Sequence, residues 1–163
     1  MKMARDDLPS PDGWIGRSVE RHEDAALLTG NARFMDDLGV APGTLHAAFV
    51  RSPHAHAKIE KISASTALEI EGVHAVVTGA DIQEFTRPFT VGVKAPMQHW
   101  SLAIDRVRYQ GEPVAIVRAD TPYIAEDGVA AVNGDYVTLP AVVDPTATMR
   151  DDAPLLHPDV GSN

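Results

Sequence analysis

His54-Ala55-His56 is the sharpest cluster of coordinating side chains in the chain. In an extended backbone, residues two apart point to one face, so both imidazoles would aim the same way, as a zinc or copper site uses them. A catalytic zinc needs a third ligand, and His46, His74 and His99 are the candidates, at separations a sequence does not measure. With no cysteine or acidic ligand at recognisable spacing, the favoured reading is that these imidazoles hydrogen-bond to backbone where a strand meets a turn. Glu112, in Gly111-Glu112-Pro113, is the best candidate for a buried carboxylate with a raised pKa, hence a general base. The commoner use of such a residue is structural, pairing with a backbone amide or with a nearby cation, here Arg108. Asp36-Asp37 and Asp151-Asp152 are adjacent carboxylates that point to opposite faces when extended, so neither makes an acid–base dyad. They are expected to be solvated, or the first of each to cap a turn.

The chain contains no Gly-x-Gly-x-x-Gly, P-loop, His-Glu-x-x-His or Gly-x-Ser-x-Gly pattern. His22-Glu23 lacks the second histidine that a zinc helix requires. No residue is therefore assigned as catalytic, cofactor-binding or metal-ligating.

The elements that would position these groups alternate along the chain. Residues 1–15 are polar and proline-rich and are expected to form an extended arm. Arg21 to Leu28 suits a short helix ended by Gly30, and Gly43 to Val50 reads as a strand broken at Pro53. Lys58 to Ile62 is a plausible second strand. Thr66-x-x-Glu69 has capping-box spacing for a helix from near Ser65 to Gly72. Val73 to Val77 is a buried-strand pattern opening on Thr78-Gly79-Ala80-Asp81, a cap. Residues 84–100 show no period and carry prolines, so they read as a long surface loop of the kind that often carries function. Val114 to Val117 is the best central-strand candidate. Thr121-Pro122 then starts a helix that Gly134 closes, with Ile124, Gly128 and Val132 on one face. Alternation of this kind favours a mixed α/β or α+β domain over a bundle or sandwich.

Composition narrows the function. The 163 residues are 44% hydrophobic and 23% charged, ordinary for one globular domain. A net charge of −9 with scattered cations argues against nucleic-acid binding. No apolar run reaches membrane-spanning length, so no membrane partner is expected. The N-terminus leads into Pro9 and Pro11 rather than an apolar stretch, so no secretory leader is expected, and zero cysteines fits a cytoplasmic location. The same absence rules out thiolate-ligated iron–sulfur clusters within this chain.

Several stretches in order carry a family resemblance. They are Gly16-Arg17-Ser18 with Arg21, Leu28-Thr29-Gly30, Phe34-Met35-Asp36-Asp37, and Leu45-His46-Ala47 leading into Arg51-Ser52-Pro53-His54-Ala55-His56-Ala57. Gly72-Val73, Val107 to Val117, Tyr136 to Val143 and Pro154-Leu155-Leu156-His157 follow. Together they resemble the N-terminal α/β hammerhead domain of the large subunit of molybdenum hydroxylases, the xanthine dehydrogenase, aldehyde oxidase and aerobic carbon monoxide dehydrogenase family. The resemblance implies an α+β fold, a mixed sheet with short packed helices over residues 16–150, followed by an extended segment at 151–163. It also implies an assembled enzyme whose large subunit binds molybdopterin, usually as a cytosine dinucleotide in bacteria, with iron–sulfur clusters and FAD on partner subunits. In that family water supplies the oxygen that replaces a C–H hydrogen, and a glutamate near the metal is the base. The residues that hold the cofactor, and that glutamate, lie downstream of the hammerhead domain, and no position in 1–163 matches them.

The role implied is therefore a scaffold for the remaining molybdopterin-binding domains, inactive alone and expected as a split-off or excised part of the larger subunit. One departure is Gly128 with Asn133-Gly134, where the family has an alanine-rich helix; a helix-interior glycine costs about 1 kcal/mol relative to alanine. Two other readings compete: a stand-alone binding module using the 84–100 loop, and a small metal-binding protein built on His54 and His56.

Overall fold

The strand expected over Gly43 to Val50 forms as β1 (His46–Arg51), but its half-buried side is His46, Ala48 and Val50, while Ala47 and Phe49 of the alternating set face solvent. The computed structural model describes residues 16, 18–90, 97–161 and 163; the arm expected at 1–15 lies outside them. Contacts divide the chain into a segment ending at Pro42 and a larger unit, Gly43–Asn163.

Among its described residues the first segment holds a short α-helix, α1 (Asp24–Leu28), which Gly30 follows with φ of +70°, and a 3-10 turn at Met35–Leu38. The larger unit has β2 (Ala57–Ser63), α2 (Ser65–Leu68), β3 (Val73–Thr78), α3 (Gly79–Phe85), β4 (Phe89–Thr90), β5 (Gln98–His99), β6 (Arg106–Val107), β7 (Pro113–Ala119), α4 (Pro122–Ala131) and β8 (Asn133–Thr138). This is the expected α+β fold. Its sheet content is divided among three small sheets, β1-β7-β3, β6-β2-β8 and β4-β5, whose described strand pairs are all antiparallel.

β7 is the central strand of its sheet, and apolar residues on both parities explain why. Val114 is buried with Ala57, Ala103 and Val107, against which Val50, Ile59, Ile62 and Tyr136 pack. Ala115, Val117 and Ala119 alternate onto the other side and are also fully buried. Each buried valine contributes about 1.5–3 kcal/mol by leaving water. α4 begins as its sequence requires: Thr121 Oγ1 accepts the Ile124 amide hydrogen at 3.2 Å and Pro122 occupies the first turn. Thr78 and Asp81 cap α3 in the same manner, with the Asp81 carboxylate accepting the Thr78 amide at 2.7 Å.

Several boundaries differ from expectation. α2 stops at Leu68, well before Gly72, and no side chain caps its start, so the Thr66-x-x-Glu69 spacing is not used as a capping box. α4 ends at Ala131, and Gly134 lies inside β8 instead of closing the helix, because the Asn133–Thr138 backbone is taken up by pairing with β2. Residues 84–100 are not a featureless loop: α3 extends to Phe85, and β4 pairs with β5 through Phe89↔His99 and Thr90↔Gln98. Residues 91–96 of that stretch lie outside the described residues. The C-terminal segment is built of turns, with the Val160 amide donating to the His157 carbonyl and that of Gly161 to the Pro158 carbonyl.

Gly128 has a packing reason. A methyl group placed there would lie 2.7 Å from Val117 Cγ1 and 3.3 Å from Val73 Cγ2. α4 can seat itself this closely on β7 and β3 only where that residue has no side chain.

Candidate functional site

The stretches that stood out in the sequence are drawn together in space. β1 ends at Arg51, with a register shift between Val50 and Arg51 that brings Arg51 opposite Pro113. The Ser52 amide donates to the Glu112 carbonyl, the Gly111 amide to the Ser52 carbonyl, and Arg51 Nη1 to the Gly111 carbonyl, each at 2.9 Å. Gly111 takes φ of +88°, a left-handed turn that favours glycine, and the missing donor of Pro113 suits the start of β7. On the other side the Leu139 amide donates to the His56 carbonyl at 2.9 Å, and His56 Nδ1 lies 2.8 Å from the Pro140 carbonyl oxygen. Arg51–Ala57 is thus a clasp between the Gly111-Glu112-Pro113 turn and the strand that leads to Pro140.

The two histidines of the clasp serve different neighbours. His56 is 4% exposed, and its Nε2 is buried without a hydrogen-bond partner among the described residues. His54 packs edge-on against the Tyr136 ring, centroids 5.1 Å apart, and its amide donates to Ser52 Oγ at 3.0 Å. His46, His74 and His99 lie on β1, β3 and β5, and His74 Nε2 is engaged by Asp120 Oδ1 at 2.7 Å. Among the described residues, no three His, Asp or Glu side chains come together as a metal site.

Glu112 uses the backbone, one of the two partners the sequence offered it: its Oε2 accepts a short hydrogen bond from the Arg108 amide. Burial pushes the Glu112 carboxyl above its ordinary pKa, opposed by that amide, by the Arg108 charge and by the Tyr109 amide. Asp37 caps the turn at Met35–Leu38 through the Phe34 amide at 2.9 Å, so the second carboxylate of that pair does the capping where the first was expected. Asp151 and Asp152 are exposed.

Next to the clasp is a cleft of about 710 Å3, lined by residues that include Phe89, His99, Arg108, Glu112 and His157. The Phe89 and His99 rings stack at 5.9 Å, and the His99 and His157 rings are 6.0 Å apart. His157 is held below its ordinary pKa first by burial, then by the charge of Arg108. The sequence marks 84–100 as a functional candidate and His157 only as the end of the Pro154-Leu155-Leu156-His157 stretch; its place in the cleft comes from the fold alone.

A family model described as the aldehyde oxidase and xanthine dehydrogenase a/b hammerhead domain matches residues 29–140. The chain belongs to this family. It is 41% identical over 141 residues to the carbon monoxide dehydrogenase large chain of Hydrogenophaga pseudoflava, covering 85% of this chain and 17% of that one. It is 43% identical over 140 residues to the nicotine 6-hydroxylase large subunit of Paenarthrobacter nicotinovorans, covering 83% and 17%. Among solved structures it resembles the Cu,Mo-CO dehydrogenase, with a TM-score of 0.76, 38% identity, and coverage of 89% of this chain and 18% of that one. This hammerhead chain therefore spans about 17% of the length of the large chains it matches.

Proposed function

We propose that the chain is the hammerhead component of a molybdenum hydroxylase large subunit, a scaffold on which the remaining molybdopterin-binding domains are assembled. The observation that carries this reading is the family match over residues 29–140 in a chain that spans so small a share of its relatives. The hammerhead body is 16–150, preceded by an arm at 1–15 and followed by a segment at 151–163. The assembled enzyme uses molybdopterin, as the cytosine dinucleotide, and works with subunits carrying iron–sulfur clusters and FAD. Its place of work is the cytoplasm; among the described residues no helix is long and apolar enough to cross a membrane.

The residues present do not suit the cofactor itself. The cleft sets the Asp105, Glu112 and Asp159 carboxyls against the single guanidinium of Arg108, a poor donor set for the pyrophosphate of a dinucleotide. No catalytic step is assigned to this chain. Its own contribution is mechanical: the clasp at Arg51–Ala57 fixes the turn at Gly111 against the β8 end of the neighbouring sheet.

Co-expression with the polypeptide that carries the downstream large-subunit domains tests the reading. Co-purification as a stoichiometric complex is expected, with molybdenum and hydroxylase activity in the complex and neither in the hammerhead chain purified alone. A hammerhead chain that ignores the downstream polypeptide, or hydroxylates a substrate unaided, overturns it.

A further inference from the structure

The cleft beside the clasp contains a cation whose hydrogen-bonding capacity is mostly unused. Of the N–H donors that a guanidinium carries, only Arg108 Nη1 has a hydrogen-bond partner among the described residues, the Arg106 carbonyl at 3.2 Å. Nη2 is 3.7 Å from Asp105 Oδ1, beyond hydrogen-bond length, and Nε is buried with no partner. The side chain is only 21% exposed, so water replaces few of the missing bonds. Leaving a largely buried charge so poorly matched is unfavourable unless something else completes it.

The neighbours do not complete it. Glu112 accepts the Arg108 amide hydrogen; its carboxyl feels the guanidinium's charge but makes no hydrogen bond to it. Asp105 is exposed and shared with Arg106 Nε at 3.4 Å. Asp159 lines the cleft but forms no ion pair with Arg108. His99 and His157 line the same cleft, and their ring nitrogens have no hydrogen-bond partners among the described residues. A guanidinium fork and two imidazoles bordering one cavity make a donor set for a planar acceptor with two oxygens.

We infer that the cleft is a carboxylate-binding site seated on Arg108, with His99 and His157 as its flanking donors. One carboxylate matches the one incompletely paired guanidinium; the nearby acids and the chain's net charge of −9 keep affinity for free anions weak. The carboxylate comes either from an acidic side chain of the downstream large-subunit domains, which rests on the proposed function, or from a free small carboxylic acid.

Sodium acetate is the probe, titrated into the isolated chain at constant ionic strength against sodium chloride. The imidazole C–H resonances of His99 and His157 are followed by NMR. Saturable shifts with acetate and none with chloride are expected, and Arg108→Gln should weaken binding roughly tenfold or more. Equal shifts in both salts, or unchanged acetate affinity in a folded Arg108→Gln chain, overturn the site. Arg108→Lys keeps the charge but not the fork; should the glutamine variant not fold, a loss of a few-fold in affinity supports the site and no loss overturns it.

The source is then read from co-purification with the downstream domains. If wild type is retained and Arg108→Gln is lost, the carboxylate belongs to those domains. If both are retained, it is a free acid. If neither is retained, the scaffold role falls while the acetate result stands.

Discussion

Glu112 ties a pH dependence to one side chain. Its carboxyl has an ordinary pKa of 4.5 and is raised in the folded chain, burial being the largest cause. In the window just above 4.5 the folded state therefore binds more protons than the unfolded state, and stability falls as pH rises through it. Glu112→Gln should flatten that part of the stability–pH curve, measured by urea unfolding at stepped pH; a curve with the wild-type slope would assign the effect elsewhere. Ser52 gives a second test. It is 3% exposed, and its hydroxyl donates to the His54 carbonyl and accepts from the His54 amide, both at 3.0 Å. Ser52→Ala should cost about 1 kcal/mol in urea unfolding, since the half-buried His54 amide and carbonyl lose their partner. The sequence made Glu112 and the histidines visible as residue types, and it placed Glu112 beside Arg108. It did not reveal that His56 would be held by Pro140, because that contact joins positions 84 residues apart. The place of His157 in the cleft was hidden for the same reason.

Strands and helices were legible where the local pattern agreed with the burial that the fold imposes. β7 carries apolar residues on both parities and is buried on both sides; Thr121-Pro122 starts α4 because cap and proline need only neighbouring residues. Legibility failed where pairing partners decide the outcome. Gly134 has the composition of a helix stop, yet it is recruited into β8 by β2, and the short β4 and β5 exist only through each other. Gly128 separates the two regimes clearly. Helix propensity alone says that Gly128→Ala stabilises α4 by about 1 kcal/mol. The added methyl would lie 2.7 Å from Val117 Cγ1, and overpacking of this kind costs typically about 1–3 kcal/mol. The contact should win: Gly128→Ala is expected to lower the urea midpoint with little change in slope, whereas a raised midpoint would show that α4 can lift from the sheet at no loss.

For the molecule as a whole, burial is unevenly distributed. Every fully buried side chain among the described residues belongs to Gly43–Asn163, and none belongs to 16–42. That shorter stretch nevertheless exposes large apolar side chains, Leu28 at 88%, Met35 at 81% and Phe34 at 67%. The described part of that stretch makes local hydrogen bonds and turns these apolar residues to solvent, which makes the chain prone to associate. Removing residues 1–42 should therefore leave 43–163 folding cooperatively, with unfolding free energy within about 1 kcal/mol of the whole chain by urea titration. The full chain should bind more of a fluorescent apolar dye than the shortened one. In the proposed complex with the downstream domains that excess dye binding should disappear, because obligate interfaces cover apolar surface. Loss of cooperative unfolding in 43–163 would instead make 1–42 part of the core, and the apolar residues at 28, 34 and 35 would need a partner inside this chain.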